Sequence, residues 1–298
     1  LLDAAFFDLA AKHAGLPLWA YLAREEGRAP NRSVTVYASG GHYRPSRDIE
    51  TLCEEVRAGI TRGHRRFKIK VGGLPLACDL KRVEAVLKLL ETGMQLAVDG
   101  NGTFSLATAI DYANAFRDHP LAWIEEPVHP LDYDLHRELA ESCPIPIATG
   151  ERMYSRWDFK RLLHDGYVDI IQPDVSHAGG ISELRKIATM AEAYDVAVAP
   201  HCPLGPIALA ACLQIDAATP NVFIQEQSLG IHYNERSDLL DYLADPAVFH
   251  YENGFVAVPS GPGLGVSINE AVVREAAVRG HNWKNQVWRL PDGTVAEW

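Results

Sequence analysis

The sequence of 298 residues lacks the features that mark several classes of protein. It has no run of basic residues, and its 28 Lys and Arg stand against 39 Asp and Glu, which gives a formal net charge of −11. This balance argues against nucleic acid and against anionic membranes as partners. No stretch approaches the roughly 18 uninterrupted apolar residues of a membrane-spanning helix, so we expect no membrane partner.

Cysteine is scarce and irregularly spaced. The five cysteines form no Cys-x-x-Cys pair, and an odd number does not fit a complete disulfide framework. This pattern is typical of a reduced, cytoplasmic protein and not of a secreted scaffold or a zinc finger. The sequence has neither an initiator methionine nor a signal peptide, and residues 1–22 already show apolar side chains at helical spacing. We therefore expect the chain to begin partway through a longer protein.

Short apolar, β-rich segments recur regularly along the chain, without strict alternation, as in parallel strands buried on both faces. Amphipathic helical stretches lie between them, and two of these start at Ser105 and Ser155. This alternation predicts an α/β barrel. A doubly wound sheet would need a glycine-rich phosphate fingerprint, for which Gly72-Gly73 is too short. The predicted strands are 34–38, 67–71, 95–99, 121–125, 145–148, 168–172, 196–199 and 222–225.

Each predicted strand from the second onward ends in a charged or metal-ligating residue. In a parallel barrel these ends meet at the C-terminal mouth, where active sites are built. A single acidic residue at such a place is usually only solvated, but a series in register on seven strands indicates a site. The members of the series are Lys68, Lys70, Asp99, Glu125, Glu151, Asp174, His201 and Glu226.

Three successive carboxylates in this series, Asp99, Glu125 and Glu151, predict a bound cation. Like charges at close range repel each other or become protonated unless a cation neutralises them. A site made only of oxygen ligands favours Mg²⁺ with some retained waters, whereas Zn²⁺ would prefer His or Cys. Glu126 should point away from Glu125 and support a ligand without being one.

Two candidate bases flank the carboxylates. Lys68 and Lys70 are two residues apart, so their side chains leave the strand on the same side. Two adjacent ammonium groups should lower each other's pKa, so that one can act as a base near neutral pH. His201 and Asp174 end neighbouring strands, and the carboxylate should fix the imidazole tautomer and raise its basicity. Bases on opposite sides of a metal-bound substrate suit proton removal next to a carboxylate.

These residues and their surroundings resemble the enolase superfamily, in its mandelate racemase branch, over most of the chain. The downstream half is most similar to the galactonate dehydratases of that branch, for example over 176–181, 201–206, 225–234 and 295–298. The motifs that carry the resemblance are Lys68-Ile69-Lys70, Val98-Asp99-Gly100-Asn101, Trp123-Ile124-Glu125-Glu126-Pro127, Gly150-Glu151-Arg152, Gln172-Pro173-Asp174 and Pro200-His201.

The resemblance implies a modified TIM barrel of the (β/α)7β type whose N-terminal α+β capping domain is missing from this chain. On this basis residues 1–30 are a connecting helix that follows the cap, and 31–230 form the barrel with the catalytic site. Residues 231–298 are expected to form an extension that packs on the barrel or the cap. We also expect a homo-oligomer.

The resemblance also implies a Mg²⁺-dependent dehydratase that acts on a sugar acid in carbohydrate acid catabolism. A base removes the proton on C2, an acid assists departure of the 3-hydroxyl, and a 2-keto-3-deoxy acid results. By similarity, Asp99, Glu125 and Glu151 hold one Mg²⁺, and His201, oriented by Asp174, acts as base or acid. Glu226 would hydrogen-bond the substrate carboxylate or the enediolate.

Two departures from the galactonate dehydratase pattern leave alternatives open. Asn101 stands where those enzymes have a histidine thought to expel the hydroxyl, and Lys70 is a second lysine that they lack. The pair Lys70 and His201 is therefore similar to that of mandelate racemase, and a racemase, an epimerase or a cycloisomerase stays an alternative, as does a non-catalytic barrel. We expect Asn101 and His42, which follows the first strand, to contact the substrate.

Overall fold

The computed structural model describes residues 2–26, 30–44, 46–203, 205–228 and 240–279. Within these residues it confirms the predicted barrel, because eight parallel strands alternate with seven helices. The strands are β1 Ser33–Gly40, β2 Arg66–Lys70, β3 Gln95–Asp99, β4 Leu121–Glu125, β5 Ile147–Thr149, β6 Ile170–Ile171, β7 Ala197–Val198 and β8 Gln225–Gln227. Successive strands pair from β1 to β7, and β8 pairs with β1. A bridge between Val198 and Val222 closes the remaining gap.

In the described residues, helices precede, surround and follow the barrel. Two of them precede the barrel, α1 Leu2–His13 and α2 Leu18–Glu26, and one follows it, α10 Glu270–Arg279. The seven between the strands are α3 Asp48–Thr61, α4 Leu76–Leu87, α5 Leu106–Phe116, α6 Tyr133–Ala140, α7 Arg156–Asp165, α8 Ile181–Glu192 and α9 Pro206–Ala218. No helix in the described ranges is both long enough and apolar enough to cross a membrane.

Two of the predicted helix starts are confirmed by their caps. The Ser105 hydroxyl accepts a hydrogen bond from the backbone N–H of Thr108 at 3.2 Å and so caps α5. Ser155 precedes α7 and forms a capping box with Asp158, whose carboxylate accepts from the Ser155 backbone N–H at 3.0 Å. Each cap satisfies a backbone N–H that the first turn of a helix leaves without a partner.

The sequence predicts one opening helix over 1–22, but the structure has two helices there, α1 and α2. The connecting role of residues 1–30 stays a prediction. Gly15 takes a left-handed conformation (φ +66°) that ends α1, and Pro17, which has no N–H to donate, precedes the start of α2. The last strand also differs from the prediction. Val222 makes only the isolated bridge, and the ladder with β1 starts at Gln225, so β8 lies three residues later than the predicted 222–225.

A short hairpin that the sequence does not predict packs on the barrel. Its strands are β9 Tyr251–Glu252 and β10 Phe255–Ala257, joined through Asn253 and Gly254, and β10 runs antiparallel to the first residues of β1. This part of the predicted extension 231–298 therefore contacts the barrel. Residues 231–239 and 280–298, including Trp283, Trp288 and Trp298, lie outside the described residues, and the division at 30 and 230 stays a prediction.

An apolar layer fills the barrel directly below its C-terminal mouth. Small and large side chains share the layer, and the ring of Tyr37 packs edge-on against Trp123 with centroids 5.2 Å apart. Side chains two residues apart on a strand face the same way. The residue two positions after a member of the layer therefore also faces the barrel interior, one level nearer the mouth, and in four cases it is a predicted site residue. These pairs are Ala97 with Asp99, Trp123 with Glu125, Ala199 with His201 and Ile224 with Glu226.

Candidate active site

The register of the strands brings the predicted site residues together at the C-terminal mouth. Lys70 is the partner of Asp99 in the β2–β3 ladder, and Asp99 is the partner of Glu125 in the β3–β4 ladder. On the far side, Asp174 and His201 form an isolated parallel bridge beyond the ends of β6 and β7. The convergence of side chains from many strands therefore follows from the parallel register.

Asp99, Glu125 and Glu151 each offer an oxygen, and the three oxygens lie within 4.8 Å of one another. Asp99 and Glu125 are fully buried, and Glu151 is half-buried. Burial, together with the charges of Asp99, Glu226 and Glu151, outweighs the attraction of Lys68 and raises the pKa of Glu125 to about 8. A cation would relieve this repulsion, and three carboxylate oxygens fit Mg²⁺ by their chemistry.

Lys68 lies under this cluster and is buried. Its Nζ contacts Oε1 of Glu125, lies 2.9 Å from Oε1 of Glu226 and lies 3.4 Å from Oδ2 of Asp99. Burial lowers the pKa of Lys68, but these carboxylates, Glu125 first, outweigh burial and raise that pKa well above its ordinary value. The carboxylates therefore favour the charged form of Lys68.

Lys70 lies above Lys68 and keeps 18% of its side chain exposed, so a substrate can reach it. Its Nζ donates to Oδ2 of Asp99 at 2.6 Å. Burial and the charge of Lys68 lower the pKa of Lys70, but Asp99 leads the carboxylates that raise it above its ordinary value. Without a cation among them, the nearby carboxylates outweigh the repulsion between the ammonium groups, so the pKa of Lys70 is raised and not lowered as expected.

His201 is held between carboxylates on both of its ring nitrogens. Nδ1 lies 2.8 Å from Oδ2 of Asp174, and Nε2 lies 3.2 Å from Oε2 of Glu151. Burial lowers the pKa of His201, but Glu151, Glu226 and Asp174 together raise it to about 10. The imidazole is therefore more basic than an ordinary histidine, with Glu151 as the largest single cause and Asp174, the predicted cause, among the others.

Glu226 connects the histidine side of the site with the lysine side. Its Oε2 accepts the backbone N–H of Cys202 at 2.9 Å, and its Oε1 faces Lys68. Burial raises the pKa of Glu226, but Lys68 and then His201 outweigh burial and lower that pKa to about 2. Glu226 therefore stays ionised in this arrangement.

The two other predicted substrate contacts lie at the same end of the barrel. Asn101 follows Asp99 by two residues, takes a left-handed conformation (φ +47°) and donates its backbone N–H to Oδ1 of Asp99 at 2.8 Å. His42 is exposed in the loop that follows β1. Their contact with a substrate stays a prediction.

Sequence reasoning assigned no role to two groups that hold Glu125. The Gln172 amide donates from Nε2 to Oε2 of Glu125 at 2.6 Å, and the Trp123 indole donates to the same oxygen at 3.3 Å. Both side chains are buried. A glutamine after the apolar residues of a buried strand, as in Ile170-Ile171-Gln172, is the signal that could have identified the first of them.

The arrangement as a whole can move protons on two sides of one bound carbon acid. Lys70 reaches the carboxylate cluster through Asp99, and His201 reaches it through Glu151. A substrate whose carboxylate lies on the cluster would present its α-carbon between an ammonium group and an imidazole. Such a site suits removal of the α-proton followed by elimination or by return of a proton.

Comparison with known proteins agrees with this geometry. A family model described as enolase C-terminal domain-like matches residues 51–272. The D-galactonate dehydratase of Verminephrobacter eiseniae is 42% identical over 300 residues, which are 99% of this chain and 78% of that protein.

Two solved structures share the fold. The 3,6-anhydro-D-galactonate cycloisomerase of Zobellia galactanivorans aligns with a TM-score of 0.81 and 32% identity, over 92% of this chain and 73% of that one. An L-talarate dehydratase of a Polaromonas species, solved with Mg and L-glucarate, aligns with a TM-score of 0.78 and 31% identity, over 91% of this chain and 70% of that one. The matched region 51–272 includes every strand from β2 to β8.

Proposed function

The chain belongs to the enolase C-terminal domain-like family, and we propose that it is a Mg²⁺-dependent lyase that dehydrates a sugar acid. The enzyme removes the proton on the carbon next to the substrate's carboxylate and eliminates the 3-hydroxyl as water. The enol that results becomes a 2-keto-3-deoxy acid. Relatives named D-galactonate dehydratase and L-talarate dehydratase support a sugar acid as the substrate.

The observation that carries this proposal is the placement of two proton carriers on either side of the carboxylate cluster. Lys70 contacts Asp99, and His201, held by Asp174, contacts Glu151. The carboxylates that raise both pKa values include the proposed Mg²⁺ ligands, so a bound cation would remove much of that effect. One of the two groups could then remove the α-proton while the other protonates the departing hydroxyl. Both roles need a group that can exchange a proton within hydrogen-bond reach of the substrate.

In this proposal Asp99, Glu125 and Glu151 would hold one Mg²⁺, which would supply positive charge against the negative charge that the substrate gains when its α-proton leaves. Lys68 adds a buried positive charge for the substrate carboxylate, and Glu226 accepts a hydrogen bond from the carboxylate or the enediolate. Asn101 and His42 contact the hydroxyl-bearing part of the sugar acid. The position of these side chains at the same end of the barrel supports these roles.

The proposal is tested by incubating the protein and Mg²⁺ with a library of aldonic and aldaric acids and assaying for 2-keto acid. We expect at least one sugar acid to give keto acid, no product without Mg²⁺, and strongly reduced formation of product with Lys70→Ala. Failure of every sugar acid, with the site loaded with Mg²⁺, would exclude the dehydratase.

A second candidate reaction is favoured by the same pair of bases. Groups on both faces of an α-carbon can remove a proton and return it, as in racemisation or epimerisation, and a cycloisomerase shares the fold. Incubation in D₂O separates the candidates. Deuterium that enters C2 without keto acid would support proton transfer and contradict dehydration.

We further propose that the protein is a homo-oligomer that works in the cytoplasm, with the division at residues 30 and 230 described above. Leu2, Phe6 and Leu9 support association, because they lie at helical spacing on α1 and stay 76%, 67% and 61% exposed. All five cysteines are free thiols, which suits a reducing compartment. Light scattering after gel filtration tests the oligomeric state.

A further inference from the structure

One ion pair touches the loops that follow all three strands bearing the carboxylate cluster. Arg152, the residue after Glu151, donates to Oε2 of Glu126 from Nε at 3.1 Å and from Nη2 at 2.6 Å. The same Nη2 donates to the backbone carbonyl of Asn101 at 2.9 Å. Because Glu126 follows Glu125 and Asn101 lies two residues after Asp99, this pair joins the three loops directly.

The backbone conformation around Asn101 and Glu126 leaves room for the Arg152 guanidinium. Asn101 and Glu126 both take left-handed conformations, with φ of +47° and +36°, which turn the chain immediately after the candidate ligands. The N–H of Gly102 donates to the carbonyl of Glu126 at 2.6 Å. A Cβ at position 102 would lie 2.3 Å from Nη2 of Arg152, so only glycine leaves room for the guanidinium there.

The Arg152–Glu126 ion pair is largely buried, and burial of charged groups carries a desolvation cost. Glu126 is fully buried, and among the described residues its Oε1 has no hydrogen-bond partner, while Arg152 keeps 21% of its side chain exposed. A buried ion pair of this kind contributes little net stability, since desolvation of the charges offsets their attraction. A positional role therefore accounts for the pair better than a contribution to folding does.

We propose that Arg152 and Glu126 are positioning residues that hold the three ligand loops at the spacing which Mg²⁺ binding requires. This proposal rests on the proposed Mg²⁺ site of Asp99, Glu125 and Glu151. The guanidinium fork spans two acceptors on different loops, which a single ammonium group cannot do. Loss of the fork leaves each carboxylate in place on its own strand but frees the loops relative to one another.

Electrostatics and positioning predict opposite effects at this site. Arg152 places a positive charge beside a cation site, so its charge alone opposes Mg²⁺ binding. If Arg152 acted only through its charge, Arg152→Met would tighten Mg²⁺ binding, and Arg152→Lys would leave it unchanged. If Arg152 positions the loops, both variants weaken binding.

The test is isothermal titration of Mg²⁺ into the metal-free full chain, without substrate. We expect Arg152→Lys and Arg152→Met each to raise the Kd for Mg²⁺ about 10-fold or more, the usual effect of removing a group that orients a metal ligand. Glu126→Gln keeps an acceptor for the fork, so it should raise the Kd less than Glu126→Ala. Because Arg152→Lys keeps the charge, it still tests the proposal if Arg152→Met fails to fold.

Arg156→Met is the matched control. Arg156 binds Glu183 with the same fork, at 2.9 Å and 2.7 Å, and that pair joins the first residue of α7 to α8. Its loss should leave the Kd for Mg²⁺ unchanged. Unchanged or tighter binding in both Arg152 variants would overturn the proposal. A wild-type chain that binds no Mg²⁺ would instead overturn the metal site, and with it the proposed function.

Discussion

Nδ1 of His201 lies 2.8 Å from Oδ2 of Asp174, and the other oxygen of that carboxylate accepts the backbone N–H groups of Ser176 at 2.6 Å and His177 at 3.2 Å. These backbone hydrogen bonds fix the orientation of the carboxylate independently of its contact with the imidazole. Because a carboxylate only accepts, Nδ1 carries a proton, and Nε2, which faces Glu151 and the mouth of the barrel, is left as the nitrogen that can exchange its proton with a substrate.

Asp174→Asn tests this relationship directly. The amide can donate to Nδ1 and so stabilise the wrong tautomer, and we expect kcat on the sugar-acid substrate to fall roughly 10²–10⁴-fold. The Kd for Mg²⁺ and the unfolding temperature should change little, since the amide keeps the shape of the carboxyl group. Glu183→Gln, a carboxylate replacement outside the site, is the control. A kcat within a few-fold of wild type for Asp174→Asn would contradict the role of this pair.

Lys70→Ala and His201→Asn should separate the two proton transfers. We expect each variant to lose roughly 10²–10⁴-fold in formation of keto acid, because elimination needs both an acid and a base. The variant that keeps the base should still exchange the C2 proton with D₂O, which ¹H NMR detects as loss of that signal. The other variant should show neither reaction. Keto acid formed at the wild-type rate by both variants would show that other groups carry the protons.

Mg²⁺ should raise the unfolding temperature of the substrate-free protein. A ligand at about 100 times its Kd stabilises the folded state by about 2.7 kcal/mol, and each kcal/mol corresponds to roughly 2–4 °C in a chain of this class. EDTA should reverse the shift. Glu125→Gln removes one of the three candidate ligands, so its unfolding temperature should respond to Mg²⁺ much less. Differential scanning calorimetry measures the unfolding temperatures. If Mg²⁺ raised the unfolding temperature of the variant as much as that of wild type, Glu125 would be excluded as a ligand.

The fold could be predicted from sequence because its information is local and repeated. Short apolar segments at regular spacing identify parallel strands, and β3 and β4 match their predicted bounds. The hairpin β9–β10 was beyond reach, because its strands of two and three residues carry no periodicity and their partner, β1, lies far away in the chain. Gly15 and Pro17 are a signal for the break between α1 and α2. The spacing of the apolar residues continues across both positions, so a prediction from that spacing alone gives one helix.

The part of the candidate site that depends only on residue type and strand order was predictable. Asp99, Glu125 and Glu151 follow successive strands, so their meeting is a consequence of parallel register. The lysine pKa values were not predictable, because they depend on how many carboxylates surround each ammonium group in three dimensions. Likewise, the contact of Gln172 with Glu125 depends on where the two side chains meet across the barrel.

Asp216 should make the folded state less stable as the pH rises. It is buried on α9, and neither carboxyl oxygen has a hydrogen-bond partner in the described part of the chain, so burial raises its pKa well above the ordinary value. The unfolded chain releases this proton near pH 4, whereas the folded chain retains it to higher pH. The free energy of unfolding therefore falls from about pH 4 up to the folded-state pKa, by about 1.4 kcal/mol for each pKa unit.

Asp216→Asn removes this titration, because an amide does not ionise. The quantity to compare is the unfolding temperature of the variant minus that of wild type, from thermal melts at a fixed Mg²⁺ concentration. We expect this difference to be larger at pH 8 than at pH 5. The same replacement at Asp111, which is exposed on α5, is the control for the loss of a surface carboxylate. If the gain for Asp216→Asn were the same at both pH values, the Asp216 carboxyl group would have to be ionised in the fold, and a water or a cation would have to lie beside it.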